Sequence, residues 1–140
     1  MNTAILRRQR DDGFSLVELI TVILIIGLLA AIAIPLYLDQ QKKGRDAAAK
    51  SDLNAVAKGI RIALDQDQVG VPTLAVSDRT VTLDGETIAS LSPGVVLGGL
   101  HWTSFDLWCI DVTHPDGDHA KSPGYKFNAP DGDSSSGQCT

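Results

Sequence analysis

A chain of 140 residues with 12 Lys and Arg against 17 Asp and Glu, and with 44% hydrophobic but only 5% aromatic residues, has room for one domain of ordinary size. A large share of its apolar residues lies between Phe14 and Leu38, so the remainder is polar and any globular part has a modest core. From Val69 onward nine acids stand against three bases (Arg79, Lys121 and Lys126), which repels phosphate backbones and disfavours direct nucleic-acid binding.

The first thirteen residues hold Arg7, Arg8 and Arg10 beside Asp11 and Asp12, and end in Gly13. Ser15-Leu-Val-Glu18 then fits S-x-x-E, the capping box of a helix start. A carboxylate in a first helical turn also suits the helix dipole. The twenty residues from Leu19 to Leu38 carry no charge, which is the length a membrane-spanning helix needs. The alternative, a buried core helix, is disfavoured because the rest of the chain is too small and polar to surround it. A secretory signal has a shorter apolar region and a small-residue cleavage site after it. Ala30-Ala31-Ile32-Ala33 is a poor fit to such a site.

Glu18 therefore stands at the edge of lipid, where an unpaired charge is costly: about 2.5–3.5 kcal/mol at mid-bilayer. A cut after Gly13 would give it a partner, the new amine of Phe14, in its own chain or in a neighbour. Gly27, Ala30, Ala31 and Ala33 interrupt the large side chains, and small residues let membrane helices approach closely. Pro35 removes a helical hydrogen bond, so Gly27 to Pro35 is the expected place for the helix to bend or loosen. Arg7, Arg8 and Arg10 are matched by Lys42, Lys43 and Arg45, and the N-terminus is read as cytoplasmic.

Leu53, Val56, Ile60 and Leu64 continue the helix at steps of three and four. One helix from about Ser15 to Gln68 is expected, about 80 Å long, with its outer half packed by one stripe and its charges solvated on the opposite face. Past Pro72 the pattern changes to short strands. Arg79–Leu83 alternates, Asp84-Gly85 is a turn, and Glu86–Ser90 returns as a hairpin. Phe105–Thr113 reads as the strongest strand, with Phe105, Leu107 and Cys109 on one face and Asp111 next in the alternation. Gly124–Ala129 is its expected partner, across the loop His114–Gly124. The tail from Pro130 has turn composition throughout. Cys109 and Cys139 fit one disulfide outside the cytoplasm, fastening that tail to the body; two unrelated thiols are the alternative.

The stretch from Gly13 to about Lys50, "GFSLVELITVILIIGLLAAIAIPLYLDQQKKGRDAAAK" behind the charged leader "RRQRDD", resembles the type IV prepilin signature. The remainder is similar to pilins in plan only. The resemblance implies an α+β fold, with a long N-terminal helix packed on a small antiparallel β-sheet head closed by a C-terminal disulfide loop. It divides the chain into a leader (1–13), an assembly helix (14–38), an amphipathic helix (39–70) and a head (71–140). It implies cleavage by prepilin peptidase between Gly13 and Phe14, N-methylation of Phe14, an assembly role for Glu18, and helix bending at Gly27 and Pro35. The implied partners are copies of the same chain, the peptidase, an assembly platform, minor pilins and the membrane. The implied location is the cytoplasmic membrane as a single-pass protein, then an extracellular pilus. The two acids in the leader depart from the more basic family pattern.

No catalytic fingerprint is present, and neither an enzyme nor a cofactor is expected. Cys109, His114 and His119 do not have the spacing of a zinc set, and His101 stands apart. Asp116, Asp118, Asp131 and Asp133 are oxygen-rich loop residues that a calcium ion could use, with turn-forming aspartates as the alternative. The expected function is a pilus subunit supporting adhesion, motility or DNA uptake. A pseudopilin of a type II secretion or competence system, and a signal-anchored extracytoplasmic binding domain that never polymerises, are the alternatives.

Overall fold

The computed structural model describes residues 13–66 and 70–140. The leader residues before Gly13, and the expected helix end at Asp67–Gln68, lie outside the described residues. The chain divides into two units, 1–37 and 38–140.

In the first unit, Gly13, Phe14 and Ser15 precede the helix α1, Leu16–Gln66. One 18-residue window of this helix has a mean hydropathy of 2.9 and is long and apolar enough to cross a membrane. Its side chains as far as Tyr37 are almost all exposed in the single chain. An apolar helix with no covering of its own requires lipid or other protein around it.

In the second unit the apolar stripe has a partner. Leu53, Val56, Ile60 and Leu64 are buried as their spacing predicts, together with Ala49 and Ala57. They pack on two antiparallel sheets. The first is β1 (Leu74–Ser77), β2 (Thr80–Leu83) and β3 (Glu86–Ser90), in that order. The second is β4 (Val96–Ser104), β5 (Leu107–Thr113), β6 (Tyr125–Asn128) and β7 (Asp133–Ser136). Val81, Leu83, Trp108, Ile110, Val112 and Phe127 complete the core, with Trp108 stacked on Phe127 at 5.6 Å. Gly59 lets the helix touch the first sheet, since a Cβ there would come within 2.7 Å of the Ile88 Cβ. The Asp84-Gly85 turn has left-handed φ at both residues (52° and 90°), the geometry that matches hairpin twist.

The head differs from the sequence expectation in four places. β4 is a nine-residue strand that alternation does not announce, because Gly98 and Gly99 break the pattern where its register shifts. β1 is likewise unannounced: Val76 and its neighbours are exposed and leave no alternation to read. Phe105 and Asp106 form the turn between β4 and β5, so β5 begins at Leu107. The tail is not all turn, for Asp133–Ser136 pairs with Tyr125–Asn128 as an edge strand. Serines with little apolar surface form it because the pairing is backbone-driven.

The helix charges are not all solvated, which corrects a second expectation. Asp46 and Asp52 lie on the buried side, each 8% exposed. Both oxygens of Asp52 take hydrogen bonds from Ser92, from its N–H at 2.5 Å and its hydroxyl at 3.1 Å. Asp46 takes three backbone N–H bonds, from Asp118 (2.9 Å), His119 (3.1 Å) and Ala120 (3.0 Å). Gly117 is required beside it, since a Cβ there would overlap the carboxylate. Burial opposes ionisation of Asp46, but the three N–H groups and the nearby His119 outweigh it and hold the carboxyl below its ordinary value. A lowered folded value means the clamp is at full strength above the unfolded carboxylate pKa of about 3.9 and is lost as pH falls through the folded value. Asp46→Ala is expected to cost about 2–4 kcal/mol. Thermal unfolding of the full chain in detergent checks this. The gap between variant and parent should be widest at neutral pH and narrow below about pH 4.

Candidate functional site

Sequence reasoning points to the start of α1. Phe14 is 83% exposed and the peptide from Gly13 to Ser15 lies outside the helix, open to a partner. Ser15 is the cap. Its N–H donates to Glu18 Oε2 at 2.9 Å, and its hydroxyl accepts from the Val17 N–H at 3.3 Å. The glutamate half is the bond that S-x-x-E predicts, while the hydroxyl caps the second helical N–H, that of Val17, in place of Glu18's. Glu18 thus has one oxygen committed to the cap and a second, Oε1, outside the cap bond. One turn on, the Thr21 hydroxyl donates back to the Val17 and Glu18 carbonyls at 2.8 and 2.9 Å, so it enters the apolar stretch already bonded.

Neither glycine of this segment is required by the fold of the single chain. A Cβ on Gly13 or on Gly27 would meet nothing within 4 Å beyond the helix's own backbone. The packing of the single chain therefore gives no reason for glycine at either position. The helix assignment continues through Gly27 and Pro35. Pro35 has no N–H, so the Ala31 carbonyl lacks its usual helical donor.

The segment 8–34 matches the prokaryotic N-terminal methylation motif. Over 98 residues the chain is 33% identical to the type IV narrow pilus major component PilA5 of Thermus thermophilus, covering 70% of this chain and 74% of that one. The chain belongs to the type IV pilin family. This pilin is also 47% identical over 47 residues to the type IV major pilin protein PilA of Myxococcus xanthus, covering 34% of this chain and 21% of that one. The type II secretion system core protein G of Pseudomonas aeruginosa is 31% identical over 55 residues, covering 39% of each chain. The matched stretch spans less than half the length of these last two relatives. No solved structure matches the chain.

At the other end of this pilin, Cys109 on β5 and Cys139 form the expected disulfide, with the Cα atoms 5.9 Å apart. Cys109 alternates with the buried Trp108 and Ile110, so the tail is fastened on the face away from the core. The bond removes both thiols from any metal set.

The acids considered for calcium are not brought together. Asp116 and Asp118 lie in the loop between β5 and β6, and Asp131 and Asp133 at the turn between β6 and β7. Asp131 accepts from the Asn128 side chain at 3.1 Å within the turn, and Asp133 accepts from the Ser134 N–H at 2.7 Å at the start of β7. Among the described residues no group of three or more His, Cys, Asp and Glu side chains could hold a metal ion. The histidines are also dispersed. His101 is exposed on β4 and His119 in its loop, whereas His114 is buried, with Nε2 3.2 Å from the Pro93 carbonyl and Nδ1 accepting the Asp116 N–H at 3.2 Å. Asp46 and Asp52 are the residues sequence reasoning missed. Each clamps a loop whose bonding groups lie far away in sequence, and no local pattern signals it.

Proposed function

We propose that this pilin is the structural subunit of a type IV pilus. The observation that carries the reading is the apolar surface of α1 from Leu16 to Leu38, exposed in the single chain and led by a capped acid. In this reading prepilin peptidase cuts after Gly13, and the freed amine of Phe14 is N-methylated. A glycine with no packing role in its own fold, in an exposed segment ahead of the helix, suits the close approach of a protease. The helix is held in the cytoplasmic membrane until an assembly platform, with minor pilins, draws it into a fibre. There neighbouring helices replace lipid around it. Glu18 pairs through its second oxygen with a Phe14 amine, and Gly27 gives a neighbouring helix room. Adhesion, motility or DNA uptake would be properties of the polymer, and the subunit itself performs no reaction.

The match to the secretion core protein favours a second reading, a pseudopilin, which would use the same N-terminus in the same way. Co-expression with a prepilin peptidase in bacterial membranes tests what both readings share. The expected product begins at Phe14; a chain that keeps its first thirteen residues contradicts them and leaves a signal-anchored domain.

A further inference from the structure

Beside the last turns of α1 the second unit has a cleft of about 220 Å³. Its floor is the edge of the core, Leu64 and Trp108, closed by Ala129, whose N–H donates to the Trp108 carbonyl at 2.9 Å. Its walls are Arg61, Asp65, Phe105 and Asp106. Arg61 donates to the Ala129 carbonyl at 2.8 Å and lies 5.2 Å over the Phe127 ring. Asp65 follows one turn later on the same helix face. Phe105 meets Trp102 edge to face at 5.4 Å, and Phe105-Asp106 is the two-residue turn between β4 and β5. Among the described residues the one ion pair joins Lys43 to Asp39, so neither carboxylate of the cleft is in an ion pair.

The lining narrows the ligand. Pockets for drug-sized molecules run to about 300–1,000 Å³, so this smaller cleft suits a single ring. Two carboxylates against one guanidinium repel an anion, and Arg61, always charged, opposes a cation. An apolar ligand would leave three charged side chains without partners. A neutral ring bearing hydroxyls satisfies them all. Hydroxyls donate to carboxylates and accept from a guanidinium, whose five N–H groups are not exhausted by Ala129. The C–H face of such a ring covers Phe105, which is 38% exposed.

We propose that this cleft binds a neutral pyranose ring, with Asp65 and Asp106 accepting from its hydroxyls, Arg61 donating to them and Phe105 against its C–H face. The cleft belongs to the second unit alone, so binding needs no fibre, and its failure would leave the filament reading untouched.

The test titrates methyl β-glucoside, methyl β-galactoside and methyl α-mannoside into the full chain, in a detergent without a sugar headgroup, and follows amide and Phe105 ring signals by NMR. At least one glycoside is expected to saturate with a Kd on the order of 1–10 mM, moving the signals of Arg61, Phe105 and Asp106. N-acetylneuraminate and putrescine should leave them in place. Asp65→Asn with Asp106→Asn should weaken binding about tenfold, because hydrogen bonds to a charged acceptor are about twice as strong as neutral ones. Phe105→Leu should weaken it at least about threefold. These side chains are exposed, so the rest of the amide spectrum should stay unchanged. The free hexoses run alongside: equal affinity means the ring alone is read, weaker binding means the cleft reads the end of a glycan, and both support the proposal. Glycosides that move no cleft signal, or bind the double variant as tightly as the parent, overturn it. So does binding of putrescine or N-acetylneuraminate there in their place, which assigns the cleft to a charged ligand.

Discussion

Replacing Glu18 by glutamine is expected to lower fibre yield at least about tenfold while leaving processed subunit in the membrane at its normal level. The choice of residue separates the two roles of this side chain. Glutamine still accepts the Ser15 N–H, so it preserves the capping box seen at 2.9 Å. What it removes is the charge that would pair with a Phe14 amine where water is scarce. Alanine removes both, and losing the cap adds about 0.5–2 kcal/mol to the cost of forming the first turn. If Glu18→Ala fails and Glu18→Gln assembles normally, the acid is helix punctuation and the pairing account is wrong. If the two fail alike, charge is what assembly needs. A Glu18→Gln subunit mixed with the parent chain should enter fibres in proportion to the amines it can still offer.

The second large effect is expected from the disulfide. Cys109 and Cys139 are 30 residues apart, and closing a loop of that size stabilises a fold by about 3–4 kcal/mol in the chain-entropy model. For a unit of about 100 residues that corresponds to a melting temperature lower by roughly 15–30 °C in Cys139→Ser. The loss should be felt first at the free end. β7 is a four-residue edge strand of small polar side chains, held by its pairing to β6 and by the bond three residues beyond it. Hydrogen exchange of Asp133–Ser136 should therefore rise by a larger factor than that of β5. Equal loss in both strands would mean the bond supports the sheet as a whole and not its edge.

How much of this was legible in the sequence depended on how local the cause was. The capping box could be read because Ser15 and Glu18 meet within one turn. The stripe Leu53–Val56–Ile60–Leu64 could be read because helical period alone aligns it. The Asp84-Gly85 hairpin could be read because the turn demands left-handed backbone. β4 could not, since Gly98 and Gly99 erase alternation at the register shift. Asp46 and Asp52 looked like ordinary surface charges of an amphipathic helix. Their burial depends on N–H groups that arrive from Ser92 and from Asp118–Ala120, and nothing near them in sequence announces that. Gly13 and Gly27 are the converse case: the fold gives them no reason to be glycine. Motif, and not packing, is what singles them out.

The intact mass of the subunit in sheared surface fibres tests the central claim most directly. The account predicts residues 14–140 plus one methyl group on the Phe14 nitrogen, with Cys109 and Cys139 oxidised. A chain that retains its first thirteen residues and is found only in the membrane fraction would contradict it.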